Sequence, residues 1–175
     1  LSLYAQKFEA AGGTITRHPE AEGLTSKYEN RLDALDEKHG DAKAALQAAN
    51  KDYDNQWSTS KFNPGSPEYE AETKRLEQAA DEAQRKETGM RFTVDAMNSG
   101  VLNEVLVAKG GDGEIAGALA FYMPPDESQL TVQLLGSTHE VAGTGTALMR
   151  QAMQIALDKN IPFQVLEPVQ EARHW

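Results

Sequence analysis

The chain contains no cysteine, and this absence removes two kinds of structure from consideration. Without thiols there are no disulfides and no thiolate ligands for a metal ion. The four histidines never fall into the His-Glu-x-x-His spacing of a zinc site, and no run of carboxylates has the spacing of a calcium loop. The sequence therefore predicts no metal site.

Positive charge is scarce, because 17 Lys and Arg stand against 27 Asp and Glu and give a net charge of -10. Contacts to nucleic-acid phosphates need clustered Lys and Arg, so we expect no nucleic-acid partner. Long apolar runs are also missing. No stretch approaches the roughly 18 apolar residues of a spanning helix, and no signal-peptide pattern is present. We expect no membrane contact, and a location in the cytoplasm or within an assembled particle.

The 175-residue chain begins at Leu1 without methionine and stops at Trp175, inside the segment EARHW, which resembles the start of a helix. We therefore expect a fragment of a longer protein, a processed product or an incompletely described chain. The composition changes near Thr88 and Gly89, from Ala, Glu, Lys and Asp to Val, Ile, Leu and Gly. This change predicts an acidic helical region over 1–88 and a separate domain over 89–175 that is incomplete at its C-terminus.

The first half predicts an antiparallel helical hairpin. Apolar residues mostly recur at spacings of three, four or seven, as in a coiled coil: Leu24, Tyr28, Leu32, Leu35, Ala42, Leu46, Ala49, Tyr53 and Trp57. A second such seam follows Ser66 and Pro67, which suit the N-cap and the first helical position. Residues 39–41 (His-Gly-Asp) predict a break in the first helix. The seams are thin, so the hairpin is either a solvated spacer or a surface for a protein partner or self-association.

The second half predicts strands and helices in the order β-β-β-α-β-α. Strands are expected over 103–108, 114–122, 129–135 and 161–167, with a helix over 143–158 and another beginning near Val169. Gly117 and its alanine neighbours would let another element approach the second strand closely. Earlier in the chain, a short helix over Leu3, Tyr4 and Phe8 is expected to end at Gly12. The order predicts an antiparallel meander, a crossover helix and a parallel strand in one mixed sheet.

The loop HEVAGTG, residues 139–145, has two glycines immediately before the helix predicted over 143–158. A helix N-terminus offers unpaired N–H groups, and glycine lets a phosphate approach them. The P-loop pattern is absent, because the chain has no Gly-Lys-Ser/Thr. The dinucleotide pattern is half present, since Leu148 stands at its third glycine, although Glu167 lies at a suitable spacing to meet a ribose. The loop predicts an anion site, with a dinucleotide-binding domain as one alternative.

The order of elements resembles the GNAT N-acetyltransferase superfamily over roughly residues 90–175. In that family a Q/R-x-x-G-x-G/A motif wraps the pyrophosphate of acetyl-CoA, and here EVAGTG, residues 140–145, is similar to it. LVAKGGDGEIAGALAFY, residues 106–122, looks like the family's acceptor-side hairpin, and PFQVLEP, residues 162–168, looks like the strand that splays to admit the pantetheine arm. The implied fold class is α+β or α/β: a GNAT-like mixed sheet with a crossover helix, preceded here by an α-helical hairpin.

The resemblance implies an acetyl-CoA-dependent N-acetyltransferase that acts on a small-molecule or protein amine. Backbone groups of Leu134, Leu135 and Gly136 would bind the pantetheine arm and polarise the thioester carbonyl. The reaction also needs a base and an acid. Glu167 and His139 are the candidate bases and Tyr122 is the candidate acid. The pyrophosphate would contact the loop residues Val141, Ala142, Gly143, Thr144, Gly145, Thr146 and Ala147.

Two features depart from the family pattern. Glu140 stands where the family has Gln or Arg, and a carboxylate beside a pyrophosphate is unfavourable unless it points away. The family's tyrosine in the last helix and its final two strands are absent from this sequence. These departures favour a second hypothesis, in which a degenerate GNAT-like domain is a non-catalytic structural or assembly component, such as part of a large multi-domain or virion protein.

Overall fold

The computed structural model describes residues 2–166. Glu167 and the helix predicted to begin near Val169 lie outside the described residues. In chain order the elements are α1 (Ser2–Ala10), β1 (Thr14–His18), α2 (Leu24–Lys27), α3 (Glu29–Thr59), α4 (Pro67–Asn98), a 3₁₀ turn (Ser99–Val101), β2 (Glu104–Lys109), β3 (Ile115–Tyr122), β4 (Leu130–Ser137), α5 (Thr144–Lys159) and β5 (Phe163–Val165).

The strands form one mixed sheet in the order β1-β2-β3-β4-β5. The pairs from β1 to β4 are antiparallel, and β5 runs parallel to β4. Helix α5 connects β4 to β5 and is therefore the crossover helix that a parallel neighbour requires. The predicted meander, crossover helix and parallel strand are confirmed, and with them the α/β fold class with a preceding helical hairpin.

The first strand is not evident in the sequence. β1 pairs with β2 along its whole length, from Thr14 opposite Lys109 to His18 opposite Val105. It is an edge strand in which only His18 is fully buried, so it lacks the alternation of apolar and polar residues that marks a half-buried strand. The short helix expected before it is confirmed as α1, which ends at Ala10.

Helices cover both faces of the sheet. On one face α1 and α5 pack against Leu106, Leu119 and Phe121. On the other face α2, α3 and α4 pack against Val105 and Val107. Because both faces are buried, β2 and β3 are nearly continuous apolar runs rather than alternating ones.

Helices α3 and α4 form the predicted antiparallel hairpin. Near the linker, Thr73 Oγ1 donates to Gln56 Oε1 at 2.9 Å. Closer to the sheet, His39 Nε2 lies 3.1 Å from Glu87 Oε1. The start of α4 is also confirmed, since the side chain of Ser66 accepts a hydrogen bond from a backbone N–H of the first turn.

The helix break predicted at residues 39–41 is wrong, because α3 is continuous from Glu29 to Thr59. A glycine inside a helix costs only about 1 kcal/mol relative to alanine, which the helix-forming neighbours of Gly40 offset. Leu32 and Leu35 are the buried residues of α3, whereas Trp57 near the linker is 73% exposed. None of the helices within residues 2–166 combines the length and apolar content needed to cross a bilayer.

The predicted boundary between residues 88 and 89 falls inside α4. Elements on both sides of it contribute to the same sheet, because β1 pairs with β2. Helix α1, from the first half of the chain, also packs against α5 from the second half. Within the described residues the sheet is therefore built from both sides of the change in composition.

A buried polar contact joins β1 to the start of α3. His18 is 1% exposed, with Nε2 2.8 Å from the Tyr28 hydroxyl and Nδ1 2.6 Å from the Glu22 carboxylate. Burial raises the pKa of Tyr28, nearby Arg31 opposes that shift, and Glu22 adds to it. The tyrosine hydroxyl therefore keeps its proton and can donate it to the imidazole.

Candidate functional site

Gly143 occupies the N-cap of α5 in the left-handed conformation, with φ +82°. A Cβ added at this position would lie 1.8 Å from the carbonyl oxygen of Tyr4 in α1. Glycine is therefore required here both by its backbone conformation and by the close packing of α1. The small residues of this loop predicted that another group approaches it closely, and at Gly143 that group is the backbone of α1.

The first turn of α5 presents backbone N–H groups without acceptors in the described part of the chain. The first backbone hydrogen bond of the helix runs from Ala147 N to Gly143 O at 2.9 Å, so the N–H groups of residues 144–146 precede it. These residues are buried, whereas Ala142 is exposed and Gly143 is half-buried. An anion would therefore reach the amides from the side of Ala142.

Thr146 adds an unpaired donor to the same turn. Its side chain is 2% exposed, and its hydroxyl oxygen has no hydrogen-bond partner among residues 2–166. In a helix the Cα–Cβ bond tilts toward the N-terminus, so the side chain of Thr146 leans toward the start of α5, where the free amides lie. Thr144, by contrast, donates its hydroxyl to the carbonyl of Val141 at 2.8 Å. A buried hydroxyl without a partner is costly unless something binds it.

The edge of β4 opens just before this loop. β5 pairs only with Leu130 to Val132, and a bulge in the pairing with β3 then leaves Gln133 without a partner residue. From the bulge onward, residues 133–137 face no described strand on the side away from β3. Alternate backbone N–H and C=O groups of this stretch point to that open side. The three predicted backbone contacts, Leu134, Leu135 and Gly136, lie in this stretch and run directly into the glycine loop.

Two close contacts fix the end of β4 between helices on opposite faces of the sheet. A Cβ on Gly136 would lie 2.1 Å from the backbone nitrogen of Thr93 in α4. A Cβ on Gly117 would lie 2.6 Å from Gly136 O and 2.9 Å from Thr144 Cγ2 at the start of α5. The close approach predicted at Gly117 is thus confirmed, and the junction of β4 and α5 is held by direct backbone packing.

Gly89 of α4 belongs to the same junction and was missed by the sequence reasoning. A Cβ there would lie 2.0 Å from Ser137 O and 2.9 Å from Cδ2 of His139. A glycine inside a helical pattern is the signal that could have found it, because such a glycine often marks a close approach.

The three candidate catalytic side chains are not brought together. Tyr122 ends β3 opposite Thr131 at the start of β4, whereas His139 follows the other end of β4. The six steps from Thr131 to Ser137, at about 3.3 Å each, span about 20 Å of strand. Tyr122 instead lines a cleft of 140 Å³ with Leu102 and other residues. The third candidate, Glu167, lies outside the described residues.

His139 lies in the loop with left-handed backbone geometry, φ +62°. Its backbone N–H donates to Ser137 Oγ at 3.3 Å, and its ring lies beside Gly89. Partial burial lowers the pKa of His139, and the positive charges of Arg85 and Lys86 lower it further. The imidazole is therefore neutral at pH 7, the form that can accept a proton.

Glu140 is paired with a lysine of the hairpin. Lys38 Nζ lies 3.2 Å from each carboxylate oxygen of Glu140, and the two residues are 102 positions apart in the chain. Both side chains are a little more than two-fifths exposed. Within residues 2–166, no group of three or more His, Cys, Asp or Glu side chains is placed to hold a metal ion.

Comparison with known proteins finds likenesses among solved structures. No protein-family profile matches the chain. No curated protein matches it either. A solved structure described as a "Putative acetyl transferase from Pyrococcus furiosus" is similar with a TM-score of 0.36 and 14% identity, over 93% of this chain and 92% of that chain.

Proposed function

We propose that the chain is an acetyl-CoA-dependent N-acetyltransferase domain of the GNAT type, acting on an amine. The observation that carries this proposal is the continuous path from the open edge of β4, residues 133–137, to the free amides that begin α5. A nucleotide-linked thioester has two parts that match this path: an anionic pyrophosphate and an extended amide-containing arm.

The pyrophosphate fits the first turn of α5. Free N–H groups and the positive end of the helix dipole stabilise phosphate oxygens. The buried hydroxyl of Thr146 would gain the partner that it lacks among residues 2–166. The amides of the pantetheine arm could then pair with the open edge of β4 as an added strand does.

The chemical step needs little beyond positioning. The amine attacks the thioester carbonyl, the C–N bond forms, the C–S bond breaks, and CoA leaves as the thiol after taking up a proton. A backbone N–H of Leu134, Leu135 or Gly136 at the β4 edge would stabilise the developing oxyanion. Of the two described candidates, Tyr122 and His139, we favour His139 as the proton acceptor, because its imidazole is neutral at pH 7.

A non-catalytic assembly role is the second candidate. It is favoured by the separation of Tyr122 and His139 and by the packing of α1 against Gly143. It is also favoured by the exposed aromatic side chains near the hairpin linker, Trp57 at 73% and Phe62 at 44%. In this role the hairpin would contact a partner and the sheet would serve as a scaffold.

Calorimetric titration with acetyl-CoA tests the proposal, with Thr146→Val as the informative variant. This change removes the buried hydroxyl at nearly constant volume, so folding stability should be unchanged or slightly higher. A hydrogen bond to a charged group is worth about 1.5–3 kcal/mol, so the Kd for acetyl-CoA should rise roughly ten- to one-hundred-fold. Thr16→Val, on the exposed face of edge strand β1, is the control and should leave the Kd unchanged.

Release of free CoA thiol in the presence of an amine panel tests turnover. Thiol release that depends on both acetyl-CoA and an amine supports the enzyme. Binding without release supports a scaffold that has kept its ligand site. No heat and no thiol release for the wild-type chain would overturn the acetyltransferase proposal in favour of the assembly role.

A further inference from the structure

Glu140 presents a specific physical difficulty for anion binding. It lies three residues before Gly143, in the loop that leads into α5. Three residues of chain span at most about 11 Å, which is comparable with the Debye length of about 8 Å at physiological salt, so the repulsion between this carboxylate and bound phosphates would be only partly screened. A loop that binds anions next to a glutamate needs something to direct or neutralise that charge.

The direction of the Glu140 side chain is visible in its contacts. Lys38 lies on α3, and both carboxylate oxygens of Glu140 are 3.2 Å from its Nζ. Helix α3 packs on the face of the sheet opposite to α5. The carboxylate therefore turns toward the hairpin, away from the face that carries the free amides.

Other charges near the loop have different partners. Lys86 pairs with Glu82 at 3.5 Å, and Arg91 lies 3.8 Å from Glu87. Arg85 and Lys86 both lower the pKa of His139. Within the described part of the chain, Glu140 forms its ion pair with Lys38.

We infer that Lys38 is a positioning residue for the anion-binding loop: it neutralises Glu140 and holds its carboxylate toward the hairpin. This inference rests on the proposed function, because it concerns the phosphate-binding part of the same site. It assigns the hairpin a part in ligand binding, since the lysine on α3 determines the charge at the start of the loop. It also accounts for a glutamate at the position where the GNAT pattern has Gln or Arg.

A double-mutant cycle tests the inference, with affinity for acetyl-CoA and for inorganic pyrophosphate as the two readouts. Lys38→Met removes the charge and keeps the stem, and should weaken both ligands about two- to five-fold, a range typical of one exposed ion pair. Glu140→Gln should bind both ligands at least as tightly as the wild type. The double variant should match Glu140→Gln, because without the carboxylate the lysine has nothing to neutralise.

Lys43→Met is the matched control, since Lys43 is an exposed lysine on the same helix. It should leave both affinities nearly unchanged. Pantetheine, which lacks phosphates, should bind Lys38→Met and the wild type equally. Raising the salt concentration should shrink the effect of Lys38→Met, whereas a structural defect would persist.

The outcomes separate this inference from the proposed function. Pyrophosphate binding that depends on Lys38, together with no binding of acetyl-CoA, would overturn the proposed function and support the positioning role. Equal losses in Lys38→Met and Lys43→Met would overturn the positioning role, as would a double variant as weak as Lys38→Met. If neither ligand binds the wild-type chain, both are overturned.

Discussion

Gly89→Ala and Gly40→Ala form a matched pair that tests the packing of α4 on β4. Both glycines lie inside long helices, Gly40 in α3 and Gly89 in α4. A Cβ on Gly40 would meet no heavy atom within 4 Å, whereas a Cβ on Gly89 would lie 2.0 Å from Ser137 O. The same chemical change is therefore made in open space and against a strand backbone.

The magnitudes follow from two terms. Replacing glycine by alanine in a helix stabilises by about 1 kcal/mol, and this gain applies at both sites. At Gly89 the contact must open from 2.0 Å to at least 3.0 Å, a shift of 1.0 Å between two backbones. Overpacking of this kind costs about 1–3 kcal/mol, toward the upper end here because neither backbone can rotate away.

We expect Gly40→Ala to raise the free energy of unfolding by about 0.5–1 kcal/mol, which is a rise in Tm of roughly 1–4 °C for a domain of this size. Gly89→Ala should be about 1–3 kcal/mol less stable than Gly40→Ala. Urea denaturation followed by far-ultraviolet circular dichroism measures both differences. If the two variants prove equally stable, α4 does not lie against Ser137 as described and the reasoning about this junction fails.

Two further predictions concern buried or partly buried titratable groups. Tyr28→Phe should lower the free energy of unfolding by about 1–3 kcal/mol, because it leaves Nε2 of buried His18 without its partner; an unchanged urea midpoint would contradict this. The pKa of His139 is lowered in the folded chain from its ordinary 6.5, so the unfolded chain binds the extra proton first as the pH falls. Stability should therefore decline as the pH drops below about 6.5 toward the lowered folded pKa, and His139→Asn should flatten that decline in thermal melts across pH. A variant with the same acid dependence as the wild type would show that another group is responsible.

Local signals predicted the helical hairpin and most of the sheet. The start of α4 depends on capping by Ser66 and Pro67. The strands around Val105, Leu119 and Leu134 depend on short apolar runs. Both signals act within a few residues. The continuity of α3 through Gly40 was missed, because a single glycine costs less than the rest of the helix contributes. β1 was missed because an exposed edge strand carries no apolar alternation.

The candidate site was predicted in part. The glycine loop, its place before the crossover helix and the neighbouring stretch Leu134 to Gly136 follow from sequence order, and the structure describes them as one continuous path. The separation of Tyr122 from His139 also follows from the predicted meander, because the C-terminal ends of two antiparallel strands lie at opposite ends of the pair. The pairing of Tyr122 with Thr131 in the structure then gives the size of the separation between Tyr122 and His139.

The sequence by itself determined the order of the elements from β2 to β5, the hairpin, the glycine loop and the acidic balance of this chain. Each depends on the type of a residue and on neighbours a few positions away. Only the tertiary structure decided that Tyr4 packs on Gly143, that Gly89 meets Ser137, and that Lys38 pairs with Glu140. These contacts join residues far apart in the chain, and such pairs form because both faces of the sheet must be covered, which no local pattern records.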